Sequence, residues 1–94
     1  MENKVIHDKE RHQFIITIDH MDSYLSYVPE DGNVLDFNHT FVPVELRGEG
    51  IAAKLVEAGL KYAAENNFKI IPSCSYVNVY IQRNKKYKGL LEEE

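Results

Sequence analysis

Apolar residues in this chain follow two different periods, and the change between them sets its organisation. From Ile51 the spacing is helical: Ile51, Ala52, Leu55, Val56, Gly59, Leu60 and Ala63 form one stripe, with Lys54, Glu57, Lys61 and Glu65 opposite. Glu57 precedes Lys61 by four residues, the favourable order for a helical ion pair, so a helix is predicted from about Gly50 to Glu65. It should stop at Asn66-Asn67, a residue type that tolerates left-handed backbone. Upstream the period is two. His12–Ile18 reads as a strand with Phe14, Ile16 and Ile18 on one face; DHMD turns the chain, and Ser23–Val28 sets Leu25 and Tyr27 opposite Tyr24, Ser26 and Val28. PEDGN supplies the next turn. Strict alternation over Val34–Val42 then places Leu35, Phe37, His39 and Phe41 on one face, which predicts that His39 sits in an apolar row.

The flanks carry weaker signals. Met1–Arg11 is polar apart from Val5 and Ile6 and suits an edge strand or a loose arm. Phe68–Pro72 is predicted as a short strand and Ser75–Asn84 as a second helix, capped by Ser73 or Ser75. Tyr87, Leu90 and Leu91 anchor Lys85–Glu94, which ends in an acidic tail. Strand, helix and strand with short connections predict a right-handed parallel crossover that brings Phe68–Pro72 beside or near Val34–Val42. The expected fold class is α+β (α/β): an antiparallel meander, then a helix, a parallel strand and a short C-terminal helix. At 94 residues, one domain over 1–94 is expected.

Composition narrows the function classes. A net charge of −4 disfavours general binding to nucleic acid or an anionic membrane. One cysteine cannot form an internal disulfide, and His7, His12, His20 and His39 lack paired metal-ligand spacing, so no metal is expected. The apolar run FIITI is far shorter than the roughly 20 residues of a membrane span, and a cytoplasmic protein is expected; the sequence leaves the oligomeric state open, with a monomer favoured.

The chemistry concentrates where the period changes. Pro43 ends a ladder, Gly48 and Gly50 permit a tight turn, and the first helical turn exposes unpaired N–H groups at the positive end of the helix dipole. Arg47 adds a charged fork, so Arg47–Ala52 suits a pyrophosphate; a plain strand-to-helix connection with a solvated arginine explains two glycines equally well. GEGIAA fits the dinucleotide fingerprint G-x-G-x-x-G/A, but no carboxylate follows at the expected distance, where the chain reads FKIIPSCS. No Lys-Ser or Lys-Thr pair follows the glycines, which excludes a P-loop. Cys74 lies between a predicted strand and a predicted helix, where the dipole lowers a thiol pKa and makes a nucleophile; an inert packed thiol is the competing reading.

Arg47, Gly50 and Ala52 match R-x-x-G-x-A, which resembles the coenzyme A pyrophosphate loop of the GNAT superfamily of N-acyltransferases. HTFVP, RGEGIA, IIPSCSYV, YIQR and Tyr87 before Leu-Leu extend the resemblance over nearly the whole chain, to the small single-domain GNAT-like family related to YjdJ-type acetyltransferases. The resemblance implies acetyl-CoA as cosubstrate and an unidentified amine, on a small molecule or a protein, as acceptor. It implies that the backbone of Phe41, Val42, Pro43 and Val44 pairs with pantetheine. Arg47, Gly48, Glu49, Gly50, Ile51 and Ala52 would then hold the pyrophosphate. Cys74 and His39 would lie near the thioester.

The same likeness offers Tyr80 as acid for the departing thiolate, against a packing role; Arg83 would reach the coenzyme phosphates, against a solvated helix charge. His39 is read either as general base, or orienter of Cys74, or as a hydrogen-bonded core histidine. Two departures from the family pattern stand out: Phe41 stands where a glutamate is frequent, and Asn84, Lys85 and Lys86 replace a frequent His-Pro-Glu. The chain also lacks room for the N-terminal helices and final strands of larger relatives, so an open acceptor side is expected. An acetyltransferase is the leading reading, a non-enzymatic coenzyme A or acyl-CoA binding module the second, and a cysteine acyl carrier the third.

Overall fold

The computed structural model describes residues 4–92. Five strands form one sheet in chain order: β1 (Ile6–Asp8), β2 (Gln13–Ile18), β3 (Met21–Glu30), β4 (Val34–Phe41) and β5 (Lys69–Ile71). The first four pair antiparallel as a meander, and β5 joins β4 in parallel, as the crossover argument requires. Two helices, α1 (Ile51–Glu65) and α2 (Ser75–Arg83), complete the α+β architecture. Within the segment expected to be an edge strand or a loose arm, Ile6–Asp8 is an edge strand; residues 1–3 of that segment and the last two residues of the acidic tail lie outside the described residues.

Amphipathic patterning decides which face is covered. Phe14 and Ile16 of β2, Leu25 and Tyr27 of β3, and Leu35 and Phe37 of β4 are buried against Ile51, Leu55, Val56, Leu60 and Ala63 of α1 and Val77 and Ile81 of α2. Burial of each such side chain stabilises by about 1.5–3 kcal/mol. Gly59 sets how closely α1 approaches: a Cβ there would lie 3.0 Å from both Leu25 and Phe37. Among the described residues no helix covers the opposite face, so they form two layers.

Local chemistry explains the element ends. Asn67 takes φ 61°, and the Phe68 amide donates to the Ala63 carbonyl at 2.8 Å, the six-to-one bond of a Schellman stop. At the head of α2 the N-cap is Cys74, not Ser73 or Ser75, and no side-chain hydrogen bond closes that end. Two 3-10 segments go beyond the sequence pattern: Val44–Leu46, which follows Pro43, and Lys85–Leu90. Tyr87 is buried and Leu90 and Leu91 pack on the core, so the predicted anchor holds.

One strand differs from simple alternation in a way that matters for chemistry. Tyr27 pairs with Phe37 but Ser26 pairs with His39, so Asn38 is an extra residue in a β-bulge. Beyond it the faces exchange. Thr40 and Val42 turn to the helix side, while His39 and Phe41 point outward and are exposed. The expected row of Leu35, Phe37, His39 and Phe41 is therefore broken after Phe37, and His39 is not a core residue.

Candidate functional site

The splay between β4 and β5 creates the site. Their parallel register runs only from Val34–Lys69 to Asp36–Ile71, with one further bond from the Cys74 amide to the Phe37 carbonyl at 2.9 Å. After Cys74 the chain turns into α2 whereas β4 continues to Phe41. The β5 side of His39–Phe41 thus has no strand partner among the described residues, leaving main-chain groups available for an extended ligand.

Beyond that edge lies a recess of about 530 Å³. It is lined by Phe41 at the end of β4, Val42 just beyond it, Arg47, Gly48 and Gly50 from the loop, and Ile51 and Ala52 from α1. Gly50 is the helix N-cap at φ 77° and Gly48 has φ 84°, both left-handed conformations that favour glycine. The first intrahelical bond runs from the Lys54 amide to the Gly50 carbonyl, so the amides of Ile51, Ala52 and Ala53 are left as donors. Arg47 donates through Nε to the Val42 carbonyl at 3.0 Å, which ties the guanidinium to the strand and leaves its other N–H groups free. Arg47 is the one fixed charge on the lining, so the recess combines an apolar wall with a floor of N–H donors whose chemistry suits an anion.

Other expected residues fall around this recess unequally. Pro43, Val44 and Glu49 belong to the same loop but are not on the lining, and Val44 is 70% exposed. His39 lines the recess at its outward end, with its ring 5.9 Å from Tyr24. Arg83 is exposed at the last turn of α2 and is also off the lining. Tyr80 is turned elsewhere: its hydroxyl donates to Glu57 Oε2 at 2.5 Å, and both residues line a second recess on α1, of about 440 Å³. Burial, followed by the Glu57 carboxylate, pushes the Tyr80 hydroxyl far above its usual range. The bond from Tyr80 holds Glu57 low, assisted by Lys61 and opposed by burial.

Cys74 sits beside the site through a residue that the sequence pattern misses. Thr40, turned inward by the bulge, brings Oγ1 within 3.4 Å of Cys74 Sγ and itself lines the recess. Burial pushes the thiol up, but the Thr40 hydroxyl and the nearby amides of Val77, Tyr76 and Thr40 outweigh it, and the net direction is down. Tyr76 joins the lining from the first turn of α2. His39 and Cys74 lie on opposite sides of the strand plane, so Thr40 takes the position beside the thiol that the family resemblance implied for His39.

Among the described residues no group of histidine, cysteine and carboxylates is arranged to hold a metal ion, and no helix is long and apolar enough to cross a membrane. The geometry has counterparts in known proteins. Protein NATD1 of Mus musculus is 34% identical over 83 residues, covering 86% of this chain and 76% of that protein. Protein NATD1 of Homo sapiens is likewise 34% identical over 83 residues, with 86% and 74% covered. The solution structure of a GCN5-like protein from Staphylococcus aureus matches with a TM-score of 0.76 at 30% identity, over 100% of this chain and 93% of that one. A family model described as GCN5-related N-acetyl-transferase covers residues 13–90, from β2 through the final 3-10 segment, and on sequence and fold together the chain belongs to that family.

Proposed function

We propose that this chain is an N-acetyltransferase that uses acetyl-CoA and acetylates an amine. One observation carries the reading: a left-handed glycine cap, free helix amides, a tethered arginine and an unpaired strand edge converge on one recess. The pyrophosphate would take the amides of Gly50–Ala52 and the free guanidinium donors of Arg47. Pantetheine would extend along the open edge of β4, over Phe41–Val44, with the acetyl group toward Thr40 and Cys74. Backbone donors on that edge favour the negative charge that grows on the carbonyl oxygen during attack.

The simplest chemistry is direct attack. The neutral amine bonds to the acetyl carbon, the bond from that carbon to the coenzyme sulfur breaks, and the amine proton passes to water or to His39 at the outward end of the recess. The bond between Tyr80 and Glu57 speaks against Tyr80 as the acid for the leaving thiolate, which can take its proton from water.

A second route is favoured by the contact of Thr40 with Cys74 and the lowered thiol. In it the Cys74 thiolate attacks first, coenzyme A thiolate departs and is protonated, and the amine then displaces the sulfur. Acetyl-CoA alone should give an intact-mass adduct at Cys74 on this route and none on the direct one. The parent reading is tested by following coenzyme A release with a panel of amines beside calorimetric binding of coenzyme A. Binding without release across the panel would make the chain a coenzyme-binding module.

A further inference from the structure

The outward face of the sheet carries a row that its patterning does not require. Ile6 pairs with Ile15, Ile15 with Tyr24, and Tyr24 with Phe41. These four side chains therefore line up across four strands on the face away from the helices, over roughly 14 Å at the usual strand spacing. None belongs to the core or packs against it; Ile6 is 53% and Phe41 38% exposed, and the rings of Tyr24 and Phe41 lie 5.5 Å apart.

Its surroundings define what fits. One neighbouring row is Thr17 with Asp22, bonded through Thr17 Oγ1 at 2.6 Å, and the other is Asp8, Gln13, Ser26 and His39. Both rows are polar and neither contains lysine or arginine; Arg11 lies beside Asp8, 3.8 Å from its carboxylate at the β1 border, so a cation over the middle of the row meets ring faces and the Asp22 carboxylate. At one end Phe41 and the adjacent His39 also line the recess described above. The row is thus an apolar stripe with a polar rim that runs into the place where the acetyl group is to be presented.

We propose that this stripe is the acceptor platform, and that the acceptor is a primary amine carried on an extended apolar or aromatic body. The amine sits at the Phe41 and His39 end, and the body lies over Tyr24 and Ile15. This rests on the acetyltransferase reading. A compact hydrophilic amine would leave the stripe bare, and a second copy of the chain would cover it without any need for it to converge on the recess.

The test uses tryptamine and spermidine as acceptors with acetyl-CoA, comparing wild type with Tyr24→Ser and Ile15→Thr. Both changes are on the outward face, and threonine keeps the β-branch that a strand prefers. Tryptamine should be acetylated with kcat/KM at least tenfold above spermidine, and each substitution should raise its KM about tenfold while the Kd for coenzyme A stays constant. Titrating tryptamine into the coenzyme-loaded protein should shift the amides of Ile15 and Tyr24. Equal kcat/KM for the two amines, an unchanged KM in both variants, or shifts confined to other regions would overturn the platform. So would a wild-type dimer that either substitution converts to monomer, since the stripe would then be a self-interface. Failure of wild type to bind coenzyme A is a separate result, and removes the site reading on which the platform depends.

Discussion

Single residues set the chemistry of the recess, and three of them give distinct expectations. Arg47 offers charge-assisted donors beside the helix terminus, so Arg47→Ala should weaken coenzyme A binding by about 1.5–3 kcal/mol in calorimetry. Its Nε bond to Val42 is solvent-exposed, so thermal stability should hardly change. Gly50 has φ 77°, which costs an ordinary side chain about 1–2 kcal/mol and a β-branched one more. Gly50→Val should therefore lose both stability and coenzyme affinity; normal values for both would contradict the loop assignment. For Cys74 the relevant direction is a thiol held below the usual 9.0, which puts more thiolate at neutral pH. Its alkylation rate should reach half-maximum below pH 9.0, and Thr40→Val should move that midpoint upward by removing the hydroxyl. An unchanged midpoint would mean that Thr40 only packs there.

At the level of elements, the sequence carried most of the fold and part of the site. Period-two and helical stripes located the meander, α1 and the parallel strand, because one face of each must be buried and the spacing records that need. The glycine loop was legible for the same reason: Gly48 and Gly50 mark backbone that few other residues adopt. The bulge was not. A single extra residue, Asn38, leaves composition and propensity unchanged yet exchanges the faces of everything after it, so His39 was read inward and Thr40 outward. The contact between Thr40 and Cys74 spans 34 positions in sequence and depends on that exchange, which is why no local pattern announced it. Deleting Asn38 should therefore restore plain pairing with Thr40 still inward beside Cys74 and His39 and Phe41 still outward, so an amide-shift titration should show coenzyme A binding retained; loss of binding would mean that the bulge itself shapes the recess. Between layers the critical residue is Gly59. Gly59→Val should destabilise by about 1–3 kcal/mol in urea unfolding, because its side chain must displace Leu25 or Phe37.

For the molecule as a whole, acid and exposed strand edges are the two stresses that the structure makes explicit. His7 fastens β1 to the body: its Nε2 is 2.6 Å from the Tyr27 hydroxyl, and its ring stacks on Phe14 at 4.1 Å. Burial lowers its pKa below 6.5, aided by Lys9 and His12 and opposed by Asp8. A depressed folded value means that the contribution is complete above pH 6.5 and is lost as pH falls further, when the unfolded chain takes up the proton more readily. Wild type should thus lose more melting temperature between pH 7 and 5 than His7→Phe, and parallel losses would dismiss the histidine. At the other border of the sheet, Leu91 bridges to Ile70, the Glu92 amide donates to the Ile70 carbonyl at 2.9 Å, and Lys69 Nζ reaches the Gly89 carbonyl at 2.8 Å. This returning segment occupies hydrogen-bonding groups that another chain would otherwise use as a template. Its consequence is colloidal: a chain ending before Gly89 should keep its coenzyme site but scatter light on standing, as bare β5 edges recruit one another into growing ribbons.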